Sequence, residues 1–263
     1  MVSRRPRDRT VFVSEVGSSD VYDQIGSGYA RFRQTDARLA APLFAALGDA
    51  RTVLDVGSGT GSYEPPDRQT VAVEPSWVML AQRSPASAPV IRAVAEALPI
   101  ATRSFDAVMT VLTVHHWSDR PAGFAEFRRV ARRRVVLTFD PDVHNRMWFF
   151  EYVPEIAQLE ISRAASLQEV VDGVEGRSVT TVPVPHDCLD AMTVSHWRRP
   201  RAFLDPAVRA GGSGLRQVDP AALERGLARL AQDLDSGRWE ERYGDLLARD
   251  EFDCGLRLVV GEG

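Results

Sequence analysis

The chain has 263 residues, 32 basic and 36 acidic side chains, a net charge of −4 and 44% apolar content. That size and balance suit one globular domain, and they exclude a protein that coats nucleic acid with a basic face. Every basic side chain is arginine, so no lysine can form a Schiff base, and two cysteines, Cys188 and Cys254, make neither a disulfide framework nor a zinc motif.

Residues 1–20, opening "MVSRRPRDRT", read as a flexible tail with no apolar signal core. No run approaches the roughly 20 apolar residues of a membrane span, so the expected setting is cytoplasmic, with no membrane partner. Segment 21–50 reads as helical, with Leu39, Leu43 and Leu47 at spacing four. "RTVLDVGSG" predicts a buried strand running into glycines, "QTVAVEP" a second strand, "WVMLAQR" a short helix and "APVIRAV" a third strand. A fourth lies in "SFDAVMTVLTVHHW", a helix in "RPAGFAEFRRVAR" and a fifth strand in "RRVVLTFDP". Short apolar strands alternating with helical patterns predict a doubly wound, mostly parallel α/β sheet. Beyond Pro141 the rhythm changes. Residues 143–176 and 187–250 read as helical insertions, the second containing a helix with Asp219 as N-cap and Pro220 at N1. "SVTTVPVPHDC" reads as a strand between them and "CGLRLVVGE" as the last of seven.

The chemistry concentrates in "TVLDVGSGTGSYEPPDRQTVAVEP". Gly57, Gly59 and Gly61 follow the first strand at intervals of two, whereas a dinucleotide turn needs G-x-G-x-x-G. Asp55 stands two residues before them, where its carboxylate would repel a pyrophosphate, and Pro65 and Pro66 cut short the helix that would back a phosphate. Glu74, at the end of the second strand, is placed to accept hydrogen bonds from both hydroxyls of a ribose. The ligand implied carries an amine and a ribose and no phosphate.

"VLDVGSGTG" resembles motif I of the class I S-adenosylmethionine-dependent methyltransferases. "VAVEPSWVML" resembles their acidic second-strand motif, and "VAEALPIATRSFDAVMTVLTVHHW" resembles the pattern of the ubiquinone-biosynthesis type. The resemblance covers about residues 20–142 and implies a seven-stranded Rossmann-like sheet, S-adenosylmethionine as cofactor, and methyl transfer to O, N or C of a small molecule. Residues 21–263 would form one domain, with 21–50 as N-terminal lid helices, 51–142 as the cofactor-binding half and the two insertions on the substrate side. It also implies roles: Asp55, Gly57, Gly59 and Gly61 at the methionine end, Glu74 on the ribose, Pro75 and Met79 on the adenine face with Trp77 either there or in the core, Ala95 and Glu96 at the adenine edge, and Tyr22, Tyr29 and Arg33 in the lid. Where many relatives carry an aspartate before these adenine-edge residues, this chain has Val94.

His115 and His116 follow the fourth strand at the edge where open α/β sheets bind ligands, which makes them candidates for a general base as well as for a structural role. His186 is a further candidate beside Asp187. Asp140, Asp142 and His144 in "DPDVHN" alternate like metal ligands, but Val114 and His115 stand where a metal-dependent relative needs an acidic residue, and no metal is expected. Trp148, Phe149, Phe150, Trp197 and Phe203 suit an apolar or aromatic substrate, a core or a homodimer interface equally well. A protein of this fold that binds the cofactor without transferring methyl, such as a cyclase or binding module, is the alternative. Charge, and "TVLTVHHW" in place of an Asn/Asp-Pro-Pro-Tyr/Phe signature, speak against a nucleic-acid partner.

Overall fold

A computed structural model describes Asp23 and residues 28–263; the expected tail over 1–20 and Tyr22 lie outside the described residues. Parallel strands β1 (Thr52–Val56), β2 (Gln69–Val73), β3 (Val90–Ile91), β4 (Phe105–Val111) and β5 (Ala131–Phe139) join β6 (Gly176–Thr181) and β9 (Leu256–Glu262) in one sheet, ordered β3-β2-β1-β4-β5-β9-β6. Strand β9 runs antiparallel to both β5 and β6. The order reverses between β1 and β4, and in such sheets ligands bind at the carboxyl ends beside that point.

The central strands are buried on both faces, which is why they read as continuous apolar runs. Alternate residues enter opposite cores. Val53, Met109, Val135 and Leu137 pack with helix α1 (Ala37–Ala46), while Leu54, Val56, Val108 and Val136 pack with helix α3 (Arg120–Val130). The four-residue spacing of α1 buries Leu39 and Leu43, with Leu47 just beyond its last turn. Asp119 caps α3 by accepting from the Ala122 N–H at 3.0 Å. Helix α2 (Trp77–Leu80) has a single turn, capped by Ser76.

Beyond β5 come α4 (Pro141–His144), α5 (Pro154–Arg163), α6 (Leu167–Gly173) and α7 (Pro220–Asp235). The Asp219 cap is made, its carboxylate accepting from Ala222 N–H at 2.9 Å. The strand expected over "SVTTVPVPHDC" is divided in two. After β6 the chain passes Pro183, which cannot donate to a ladder, and β7 (Val184–Pro185) pairs instead with β8 (Glu251–Phe252) outside the main sheet.

The five aromatics left open by the sequence are core residues. All are buried, Phe149 stacks on Phe203 at 3.7 Å between centroids, and the Trp148 and Trp197 indoles donate to the carbonyls of Trp197 and Val184. The substrate and homodimer readings lose the side chains that suggested them, because burying such rings against one another outweighs leaving them at a surface.

Candidate functional site

Two adjoining cavities open at the carboxyl edge of the sheet. The larger, about 720 Å³, lies over β1, β2 and β4. Its floor is the glycine turn. Gly57 has φ 74°, and a Cβ there would come within 2.7 Å of the Thr113 side chain, so the backbone can lie this close to β4 only without one. Gly59 donates its N–H to Glu74 Oε2 at 2.8 Å, and Ser76 N–H donates to Oε1 at 2.9 Å. These two bonds fix the Glu74 carboxylate at the end of β2 and leave each oxygen a further lone pair for a ligand. Burial pushes the Glu74 carboxyl up, and the two N–H donors pull it back.

Asp55 is 3% exposed and lines the same cavity. Burial raises its carboxyl well above the usual range, and the nearby Glu64 adds to the shift. No described residue donates a hydrogen bond to it. A buried carboxylate lacking a donor, beside glycines and a second carboxylate one strand away, fits a ligand that brings an ammonium and a ribose. It does not fit a pyrophosphate.

The stretch 62–68 forms turns rather than a helix. Its place behind the glycine turn is taken by Arg83, 5% exposed. Its guanidinium donates to Ser58 Oγ (3.0 Å), to the Gly59 carbonyl (3.2 Å) and to the Ala88 carbonyl (3.0 Å), and it pairs with Glu64. Glu64 also accepts from Ala88 N–H at 2.7 Å. Nothing in the spacing of the sequence marks these two residues, since they come together only through the fold.

The other wall joins three distant segments. Asp190, fully buried, accepts two hydrogen bonds from the Arg33 guanidinium and one from Tyr63 OH at 3.0 Å. Arg33 also donates to Tyr29 OH at 2.6 Å. Tyr29, Arg33 and Tyr63 all line the large cavity. Tyr63, a wall residue, and Asp190, which lies behind the wall and holds it, are residues that the sequence reading missed.

The structure brings Asp55, Gly57, Gly59, Glu74, Pro75, Met79, Ala95, Glu96, Tyr29 and Arg33 to one cavity. Gly61 is not in its wall and only turns the chain, at φ 92°. Glu96 Oε1 is taken up by Ser118 N–H at 2.7 Å, Ser118 OH and Asp119 N–H, so that oxygen closes the turn after β4. Trp77 is 48% exposed with Arg92 over its ring, and it is neither core nor cavity wall.

His115 and His116 stand on a single turn, Val114–His116, with ring centroids 3.9 Å apart. Burial pushes His115 well below the usual imidazole range and His116 down to about 4. Both are therefore neutral at pH 7. Leu112, which precedes them, holds φ 57°, a left-handed conformation that a residue with a Cβ adopts at a cost. His186 is elsewhere: it lines neither cavity, is half-exposed, and lies 3.2 Å from the Asp250 carbonyl, so the structure does not place it with the other candidates.

The second cavity, about 100 Å³, shares Arg33, Leu112, His115, His116 and Arg163 with the first. Two residues of "DPDVHN" bound it or cap a helix rather than gathering around an ion. Asp140 caps α4, accepting from Asp142 N–H at 3.1 Å, and His144 Nε2 is bonded to Glu160. Among the described residues no helix is long and apolar enough to cross a membrane.

An open α/β sheet thus presents acid, glycine turn and acid at its switch point. Residues 54–139 match the methyltransferase domain family. The chain carries a class I S-adenosylmethionine-dependent methyltransferase domain and transfers methyl groups. It resembles a protein of Anabaena variabilis described as a candidate methyltransferase from an antibiotic biosynthesis pathway, at 29% identity over 88% of this chain and 99% of that one, with a TM-score of 0.79. The fold also resembles the YcgJ protein of Bacillus subtilis (18% identity, 86% and 99% covered, TM-score 0.50) and a Haemonchus contortus phosphoethanolamine N-methyltransferase (13%, 95% and 61%, TM-score 0.55). No curated protein matches the chain.

Proposed function

We propose that the acceptor is a small apolar or aromatic metabolite held in the second cavity, and that the first holds S-adenosylmethionine with its methyl directed at the shared wall. The observation that carries this reading is the wall itself: His115 and His116 face both spaces. The description of the Anabaena relative, a protein of a small-molecule pathway, supports the same substrate class. The acidic balance of the chain and two pockets of this size favour a free metabolite over a nucleic acid.

In this reading Glu74 accepts the ribose hydroxyls, Asp55 faces the ammonium, Met79 and Pro75 pack on the adenine, and Ala95 offers its backbone to the adenine edge. Tyr29 and Arg33 close the methionine end. S-adenosylmethionine supplies a methyl already activated on a sulfonium, so the chain's task is alignment. Holding acceptor and donor about 3 Å apart lowers the barrier by several kcal/mol. His115 and His116, neutral at pH 7, accept a hydrogen bond from the acceptor; a ring with its pKa near 4 is a weak base, so orientation outweighs proton removal.

The test is S-adenosylhomocysteine formation from S-adenosylmethionine with a panel of phenols, amines and activated carbon acids. Turnover with at least one, lost in Glu74→Ala through a KM raised roughly tenfold or more, supports the reading. With S-adenosylmethionine saturating, the rate should stay flat from about pH 6 to 8, since neither histidine titrates there. Turnover that rises steeply through pH 6.5, or a Glu74→Ala variant with wild-type KM, would overturn these assignments.

A further inference from the structure

Helix α5 ends with two residues that a helix ordinarily brings together. Glu160 and Arg163 stand at i and i+3 on one face, where opposite charges usually meet. Here no ion pair joins them among the described residues. Glu160 is turned to His144 Nε2, a ring only 5% exposed. Arg163 is turned to Gln217, donating from Nη1 to Oε1 at 2.7 Å, and Gln217 is itself fixed by its bond to the Ser213 carbonyl at 2.9 Å. An anion and a cation are thereby held apart, and both line the second cavity.

What lies between them constrains the ligand. The space of about 100 Å³ is smaller than the roughly 150 Å³ of a cavity that takes up benzene, so it admits no more than one six-membered ring, and that ring must reach into the adjoining larger cavity across their shared wall. Leu112, Phe139 and Met192 supply apolar wall for such a ring. Asn145 lines the same space, and its buried Oδ1 accepts no hydrogen bond among the described residues. Arg33, the other guanidinium in the wall, is already matched on two nitrogens by Asp190. Arg163 has no carboxylate partner among the described residues, and its Nε and Nη2 donate to none of them.

Resting on the acceptor reading of this cavity, we propose that the acceptor is a single-ring hydroxy acid whose carboxylate is held by Arg163 and whose hydroxyl is anchored by Glu160 and Asn145, while the ring edge that takes the methyl faces His115 and His116 on the shared wall. A guanidinium offering two unused N–H groups matches a carboxylate in geometry as well as charge. Glu160 Oε1, the oxygen not bonded to His144, and Asn145 Oδ1 accept no hydrogen bond among the described residues and call for a hydroxyl hydrogen. An amine would answer Glu160 as well, but it would be repelled by Arg163.

The test is calorimetric titration of 2-, 3- and 4-hydroxybenzoate, with phenol as the uncharged comparison, into the full chain with and without S-adenosylhomocysteine. At least one acid should bind roughly tenfold or more tightly than phenol. Arg163→Gln should erase that preference and Arg163→Lys should keep part of it, with thermal midpoints in the absence of ligand showing that both variants are folded. Equal binding of acids and phenol, or of neither, overturns the proposal. So does an Arg163→Gln variant that loses S-adenosylhomocysteine and keeps the acid, which would assign Arg163 to the methionine carboxylate of the first cavity. Failure of the wild type to bind S-adenosylhomocysteine would instead strike the cofactor reading, while the titrations without it still decide the acid preference.

Discussion

Asp55 and Glu74 are both buried acids at strand ends, yet their surroundings differ. Glu74 is anchored by two backbone N–H groups, so its carboxylate is ready for a ligand before one arrives. Asp55 has no such donors among the described residues, and burial together with Glu64 holds its carboxyl well above the usual range. A ligand ammonium placed beside it lowers that value, so binding should release a proton. It follows that affinity for S-adenosylhomocysteine rises with pH above the ordinary carboxylate range and levels off once the empty site has itself ionised. Calorimetry in two buffers of different ionisation enthalpy reads the proton directly. Asp55→Asn should abolish the release, and a wild type that releases none contradicts the assignment.

At the scale of elements, the pocket depends on ties between segments far apart in sequence. The turn after β1 has no helix behind it, and the Arg83 guanidinium with Glu64 supplies the bracing that a helix N-terminus would give. Asp190, from the second insertion, holds Arg33 from the N-terminal segment and Tyr63 from the turn. Removing one partner of a buried pair strands the other, at a cost of about 3–5 kcal/mol. Asp190→Asn should therefore lower the thermal midpoint and expose Arg31 and Arg33 to trypsin. Asp187→Asn, which alters an exposed pair with Arg38, should do neither. Equal behaviour of the two variants would mean that Asp190 does not hold the wall.

Across the whole molecule, three histidines share one direction of shift. Burial lowers His115 well below the usual range and takes His116 and His196 to about 4. In the unfolded chain each ring takes up a proton near pH 6.5, whereas the folded chain refuses it until far lower. Stability is thus complete above pH 6.5 and is lost as pH falls towards 4. His196 alone, 7% exposed with neither ring nitrogen bonded among the described residues, accounts for about 3 kcal/mol of that loss. It lies against Phe203 in the core, so His196→Phe should raise the denaturation midpoint and flatten its fall between pH 6.5 and 5. An unchanged slope in urea titrations at those two values would rule this out.

The centre of the sheet was legible because β1, β4 and β5 are buried on both faces along most of their length and therefore announce themselves as apolar runs. The wall of the larger cavity was legible for a related reason: Asp55, Gly57, Gly59 and Glu74 are close in sequence and sit at or just beyond strand ends, where local geometry already fixes their direction. Tertiary structure alone decided what depends on contact across the chain. Arg83 reaches the glycine turn from 24 residues away, and Asp190 meets Arg33 across 157. His186 and Gly61 have the right chemistry but the wrong place, and no periodicity distinguishes them from His115 and Gly59. The aromatics after Pro141 gave equal grounds for core, substrate wall and interface, because burial against one's own chain and burial against a partner demand the same residues. Local pattern determined the centre of the sheet and the wall of the larger cavity at its edge; the second cavity, whose walls come from six separate segments, was decided only when the chain closed on itself.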